Sequence, residues 1–277
     1  MNTAQRVLKF LALAVAAVLI IAIFSGIAGV GMILGRIFSP DRSTDTVLSE
    51  VDLREDIDMN GIRRLELKAS TVRVKVVSTD EGRIRVESNS DRVKVGKSGE
   101  TLTIEESDFN LFENIAWGDD ELVVYLPKSM HEFDFVSIET GAGKMDIERL
   151  ETKELRISMG AGKVEIQEVI ARNRADIDGG AGVLTIRNGE LRNLDFDMGV
   201  GKVEIEAALL GSSEIDAGLG RLDLRLLGDA DSYRIKVERG LGSVKLDGNE
   251  VESDRSYGEG ENLIEIDGGV GAIEVRR

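Results

Sequence analysis

The chain has no cysteine, two prolines, one tryptophan and one histidine in 277 residues. Without thiols there is neither a disulfide framework nor a thiolate metal site. With His131 as the single histidine, set in a loop beside Glu132, and no serine-nucleophile motif, nucleophilic catalysis lacks its usual parts, and no enzyme is expected. Proline is scarce where glycine is not: 31 glycines suit a β protein with many corners, and they follow no collagen period. Positive charge is also in deficit. The net charge is −16, and because Arg6, Lys9 and Arg36 are the only charged residues before position 37, the remainder carries −19. Such a body is repelled by nucleic acid and by anionic headgroups.

Residues 10–35 form a run of 26 without any charge. As a helix the run reaches ~39 Å against a hydrocarbon core of ~30 Å, so one tilted transmembrane helix is expected. Gly26-Ile27-Ala28 has the small-x-small look of a processing site, which makes a cleaved leader the alternative. Arg6, Lys9 and the amino terminus favour an inside N-terminus and hence an extracytoplasmic remainder. Within the run, Gly31 and Gly35 are spaced for a close helix–helix approach. The expected organisation is an anchor over 1–36, a polar linker over 37–60 and one β domain over 61–277.

A glycine-bracketed unit recurs seven times in that domain, most plainly as GAGKVEI at 160–166 and GVGKVEI at 199–205. The residues between the glycines are Ala142, Ala161, Ala181, Val200, Leu219, Leu241 and Val270, at steps of 19, 20, 19, 19, 22 and 29. A period near twenty is a solenoid signature. Four before each centre stand Ile138, Ile157, Ile177, Phe196, Ile215, Val237 and Ile266; three after it stand Met145, Val164, Leu184, Val203, Leu222, Val244 and Ile273. Two further on, Ile147, Ile166, Ile186, Ile205, Leu224, Leu246 and Val275 complete an all-apolar set of columns. Polar residues alternate with them, as in strands with one buried face.

Parity changes inside the unit: Ile157, Met159 and Ala161 are odd, Val164 and Ile166 even. Each unit therefore reads as two short strands joined at a glycine bend, where glycine reaches positive φ cheaply. The fold class expected is all-β, a single-stranded β-helix-like solenoid of ~20-residue rungs. It has irregular rungs over 61–132, with Lys68-Ala69-Ser70 in place of the glycine bracket, and regular ones over 133–277. About eleven rungs at ~4.8 Å make a rod near 50 Å. Residues 247–261 read as an acidic insertion, and Arg276 and Arg277 as charges guarding the terminal rung. A propeller with two units per blade is the rival, but odd and even units do not alternate.

The glycine units are not nucleotide loops: Gly143-Lys144 and Gly162-Lys163 lack the following Ser or Thr and the leading glycine. Outward columns carry more information. Three before each centre stand Glu139, Ser158, Asp178, Asp197, Asp216, Glu238 and Asp267, where stacked carboxylates repel unless a cation intervenes. Glu139, Asp178, Asp197, Asp216, Glu238 and Asp267 are therefore the candidate ligands for a divalent cation such as calcium, against a plain solvated acidic face. Lys144, Lys163, Lys202 and Arg221 stand two residues before Asp146, Glu165, Glu204 and Asp223 and can neutralise them across rungs. Trp117, with Phe109, Leu111, Phe112 and Ile115, makes 108–120 an apolar loop suited to plugging the coil or meeting a partner.

One N-terminal apolar helix, irregular strands ending in Tyr125-Leu126-Pro127, and then GAGKMDI, GAGKVEI and GVGKVEI resemble the bacterial putative-adhesin β-strand-repeat family, over roughly residues 60–277. The resemblance implies a β-helix-like fold, an envelope location, no established activity and no catalytic residues. The chain is similar, too, to the C-terminal part of membrane proteins that report on envelope stress. The expected function is a single-pass, membrane-anchored, extracytoplasmic β-solenoid serving as an envelope scaffold or adhesin-like binding surface. Its expected partners are the membrane, through the N-terminal helix, and an envelope protein or glycan. The alternative is a membrane-bound sensor of envelope stress.

Overall fold

The structure, a computed structural model, describes residues 51–107, 120–129 and 132–277. The apolar run 10–35, the Trp117 loop and His131 lie outside the described residues. Among those described no helix is long and apolar enough to cross a membrane.

The strands are β1 (Leu53–Ile57), β2 (Arg64–Ala69), β3 (Arg73–Thr79), β4 (Ile84–Ser88), β5 (Val93–Ser98), β6 (Thr101–Glu106), β7 (Glu121–Pro127), β8 (Phe133–Thr140), β9 (Lys144–Met159), β10 (Lys163–Asp178) and β11 (Ala181–Ile186). They continue as β12 (Gly189–Arg192), β13 (Leu194–Asp197), β14 (Val200–Leu210), β15 (Ser212–Asp216), β16 (Leu219–Leu226), β17 (Tyr233–Glu238), β18 (Leu241–Leu246), β19 (Asn249–Glu250), β20 (Arg255–Tyr257), β21 (Asn262–Asp267) and β22 (Val270–Arg276). The first falls inside the expected linker. Only Leu53 and Ile57 of β1 are even partly buried, so the sequence there shows no two-residue alternation, yet it pairs antiparallel with β4.

Apart from β1, β4, β5, β19 and β20, the strands form a parallel stack in which residues about twenty apart lie over one another: Ile138 on Ile157, Ile157 on Ile177, Ile177 on Phe196 and Phe196 on Ile215. All three apolar columns are buried, no member exposing more than Ile273 and Leu246 at 6%. Burial of each such side chain contributes about 1.5–3 kcal/mol, which is what holds units together that cannot bury their own faces.

Two refinements to the rung follow. The middle rungs have a third run: Leu150 pairs with Val169, Val169 with Gly189 and Leu191 with Leu209, a ladder between the two expected strands. And Ala161, expected to point inward with Met159, is exposed while Met159 is buried. The corner is made by consecutive outward residues, Gly160 and Ala161.

The glycines are there chiefly because the corner backbones nearly touch. A Cβ on Gly160 would stand 2.7 Å from the Gly141 carbonyl oxygen, and at Gly182, Gly201, Gly220 and Gly271 it would fall closer still on the glycine of the rung before. Gly201 also has φ +149°, a value that side chains rarely adopt. Gly201→Ala is expected to cost about 3 kcal/mol through overpacking. Gly96→Ala, where an added Cβ meets nothing within 4 Å, should stay within about 1 kcal/mol of the parent. Urea midpoints check the pair, and equal costs would show that close approach is not what selects glycine.

Rung order in space departs from chain order at both ends. β6 and β7 lie beneath β2 and β3, while β8 and β9 lie above them. At the other end β21 and β22 are inserted between β15/β16 and β17/β18. Among the described residues the stack is therefore nine rungs, from β6/β7 through to β17/β18, and at ~4.8 Å spacing spans about 38 Å, not the eleven rungs and 50 Å expected. Residues 262–276 are not the terminal rung, so Arg276 and Arg277 guard no edge; Arg277 instead pairs with Asp247, Nη2 to Oδ2 2.8 Å. Asn262 ties the inserted rung to both neighbours, its Oδ1 accepting from the Gly211 N–H (2.9 Å) and its Nδ2 donating to the Ser232 carbonyl (3.2 Å).

Antiparallel strands cover the edges: β5 lies on β6, β4 on β7, β20 on β17 and β19 on the end of β18. Covered edges resist pairing with another chain.

At the corners each rung donates to the one before it: Ala161 N–H to the Gly141 carbonyl, Ala142 N–H to that of Ser70. The first corner, Ser70 to Val72, finds its acceptor in a side chain. One Glu106 oxygen accepts the N–H groups of Ser70 (2.7 Å), Thr71 (2.7 Å) and Val72 (3.1 Å), and the other takes the Thr71 hydroxyl and Arg92 (2.8 Å). Arg92 also reaches Asp120 at 2.8 Å. Nothing in the glycine pattern signals this; the register sets Ser70-Thr71-Val72, not Lys68-Ala69-Ser70 as expected, opposite Gly141-Ala142-Gly143, and with a carboxylate instead of another corner backbone against it this corner carries no glycine.

Candidate interaction face

Strand alternation turns every second residue outward, and parallel register stacks the outward residues into columns. On the side before the glycine corner, Asp178 lies beside Asp197, then Asp216, Asp267 and Glu238. Two residues upstream a second acidic column runs in parallel: Asp176, Asp195, Glu214 and Glu265. Four consecutive rungs thus present paired carboxylates on one face. Cations hold its borders, with Arg156 3.4 Å from Asp176, Arg174 2.7 Å from Asp195 and Lys236 2.8 Å from Glu265. The Lys236 ammonium is held above its ordinary value by the hydrogen bond to Glu265 and, further off, by Asp267 and Asp254, which reports a negative local field.

The six carboxylates named for calcium do share a column. Five are successive in space; Glu139 stands beyond Ser158, beside Lys68 at 3.6 Å. They form a line one rung apart, and among the described residues no three His, Cys, Asp or Glu gather closely enough to hold a metal ion.

Across the corner the basic and acidic columns interlock as expected. Lys144 reaches Asp146 (3.1 Å) and, one rung on, Glu165 (3.8 Å); Lys163 also reaches Glu165 (3.0 Å); Arg221 joins Asp223 (2.8 Å) and, across a rung, Glu274 (3.5 Å). Partial burial works to raise the Glu165 carboxyl, but Lys163, Lys144 and Arg187 outweigh it and hold it below the usual range.

Between these two charged surfaces runs the corner itself. The outward residues Ala161, Ala181, Val200, Leu219, Val270 and Leu241 are register neighbours in that order, so an aliphatic ridge grows from methyl to isobutyl along the stack. Val270 is 44% exposed and Leu241 69%. Beneath it a shallow recess is lined by Met198, Ala217, Leu222, Val244 and Ile273 with the corner glycines. Both the second acidic column and the ridge were visible in the repeat alignment: the fifth residue before each centre is acidic in four units, and the centre enlarges from alanine to leucine.

The family described as Toastrack DUF4097 matches residues 62–261. No curated protein matches the chain. Similar solved structures include a putative cell adhesion protein from Clostridium sporogenes, at 17% identity and TM-score 0.35, covering 82% of this chain and 99% of that one. A putative adhesin from Bacteroides fragilis is similar at 14% identity and TM-score 0.42, covering 82% and 98%. A putative lipid binding protein from Parabacteroides distasonis is similar at 12% identity and TM-score 0.33, covering 80% and 96%.

Proposed function

The chain belongs to the Toastrack family DUF4097, and from that premise we propose that it is a non-enzymatic binding protein of the bacterial envelope. Residues 10–35 anchor it to the membrane, and the stack stands outside as an adhesin-like surface for an envelope protein or glycan. The observation that carries this reading is the four-rung acidic face bordered by an aliphatic ridge, on a stack whose edges are covered. A fixed lattice of outward side chains suits recognition of an extended partner, since the spacing of the columns is set by the rungs and not by loops.

Beads carrying the full chain are expected to be retained on bacterial envelope preparations. The variant with Asp195→Asn, Asp197→Asn, Glu214→Gln and Asp216→Asn should lose most of that retention without losing thermal stability. Equal retention by the variant overturns the reading of this face. Protease added to intact, wall-stripped cells should remove the domain; protection there would overturn the extracytoplasmic placement.

A further inference from the structure

We infer that Asn60-Gly61 is a self-modification site: the Gly61 backbone nitrogen closes on the Asn60 side-chain amide, Lys97 promotes the step, and the product is chiefly isoaspartate at position 60. This chemistry stands apart from the binding reading above.

The reaction needs only water and hydroxide. Gly61 gives its N–H proton to hydroxide, the nitrogen attacks Cγ of Asn60, the bond from Cγ to Nδ2 breaks, and ammonia leaves with a proton taken from water. The five-membered imide then takes up one water. Opening at the Asn60 backbone carbonyl carbon leaves the chain running through Cγ, an isoaspartyl residue with a free carboxylate. Opening at Cγ leaves aspartate.

The chain holds two Asn-Gly pairs, Asn60-Gly61 and Asn188-Gly189, and the fold sets them in opposite circumstances. Asn60 and Gly61 lie in an exposed turn between β1 and β2. Gly61 has φ +77°, an added Cβ there would meet nothing within 4 Å, and its N–H donates to no group among the described residues. Ring closure at this pair therefore sacrifices no hydrogen bond from the attacking nitrogen. At the other pair the Asn188 carbonyl accepts the Val169 N–H at 3.0 Å. Gly189 begins β12 in register with Val169, and a Cβ on it would stand 2.6 Å from the Val169 carbonyl oxygen. Closing a ring there requires the ladder to open first, and each ~1.4 kcal/mol of opening slows the step about tenfold.

Lys97 distinguishes the turn further. Its ammonium reaches from β5 to the Asn60 carbonyl oxygen at 3.2 Å and to the Asp58 carbonyl oxygen at 3.5 Å. When Gly61 loses its proton, the amidate charge spreads onto that same Asn60 oxygen. When water adds to the imide at this carbonyl, negative charge develops there again. A donor already aimed at the place where charge develops lowers both barriers, as in an oxyanion hole. Of the two openings, it favours the one that gives isoaspartate. Asp58 works in the other direction. Its carboxylate accepts from the Asn60 backbone N–H at 2.9 Å and from the Asn60 side-chain amide, which together hold its carboxyl below the usual range. Lys97 prevails because it touches the oxygen that takes up the charge, whereas Asp58 touches amide hydrogens. The rearranged backbone, one methylene longer, lies in the turn through which the preceding residues reach β2.

The full chain, folded and in urea, is incubated at several pH values, and peptide mass mapping reads asparagine loss and the isoaspartate share at both pairs. In the folded chain Asn60 should convert about tenfold or more faster than Asn188, at a rate proportional to hydroxide, and in urea the two should convert alike. Lys97 is exposed and screened, so Lys97→Met should slow Asn60 by about three- to tenfold, far less than the loss of a buried oxyanion donor. The isoaspartate share should fall with it, neither change should appear in urea, and Lys97→Arg should keep both near the parent. Equal rates at the two pairs in the folded chain, or Asn60 slower folded than in urea, overturn the inference. So does a rate indifferent to pH, a Lys97→Met protein that reacts like the parent, or equal slowing by Lys97→Met and Lys97→Arg, which would reduce Lys97 to a structural tether.

Discussion

Glu106→Ala is expected to lower the stability of the domain by about 3–5 kcal/mol, the cost of breaking a buried ion pair by removing one partner. The Glu106 side chain is fully buried, and its two oxygens satisfy three backbone N–H groups, a hydroxyl and the Arg92 guanidinium. Alanine leaves the three N–H groups and the Thr71 hydroxyl without this acceptor where water has little access, while Arg92 keeps Asp120, and each unmet buried donor is costly in its own right. Against a total stability of about 5–15 kcal/mol, typical of domains, this is a large share. Glu106→Gln retains an acceptor oxygen but loses the charge opposite Arg92, so it should fall between parent and alanine. Denaturant midpoints for the three proteins supply the check. If Glu106→Ala came within about 1 kcal/mol of the parent, the first corner would have some other means of meeting its amides.

Glu106 also marks what the sequence could and could not disclose. Every apolar column read from the repeats is buried, and the GAGKVEI-type units led to the right family, because a two-residue alternation with one face buried determines which side chains point inward. Register within a rung was legible for the same reason. Rung order was not. Each unit carries the same columns, so Val237 and Ile266 would both fit over Ile215, and periodicity alone does not choose. What chooses are contacts outside the columns, among them the Asn262 side chain bridging Gly211 and Ser232. The outward centre of the Gly-x-Gly unit was misread because alanine is equally at home on either side of a corner; its larger counterparts Leu219, Val270 and Leu241 disclose the side only once their exposure is known.

The inserted rung makes the second large prediction, a contrast between Ile266→Asp and Val237→Asp. Both side chains are 1% exposed, so a carboxylate at either site costs several kcal/mol, enough to detach the rung that carries it. In a coil that followed chain order, Ile266 would sit in the last rung and its loss would release that rung alone. Here β21 and β22 hold β15 and β16 on one side and β17 and β18 on the other. Ile266→Asp should therefore abolish amide protection in β17, β18, β21 and β22 together and loosen the newly bared edges of β15 and β16. Val237→Asp should unprotect β17 and β18 with their covering strands β19 and β20, while β21 and β22 stay paired to the rungs beneath. Native-state hydrogen exchange resolves the two patterns, since opening proceeds in contiguous units whose order follows their place in the stack. The reverse hierarchy, with residues 262–276 opening first and 233–246 still protected, would mean that the chain stacks in sequence order after all.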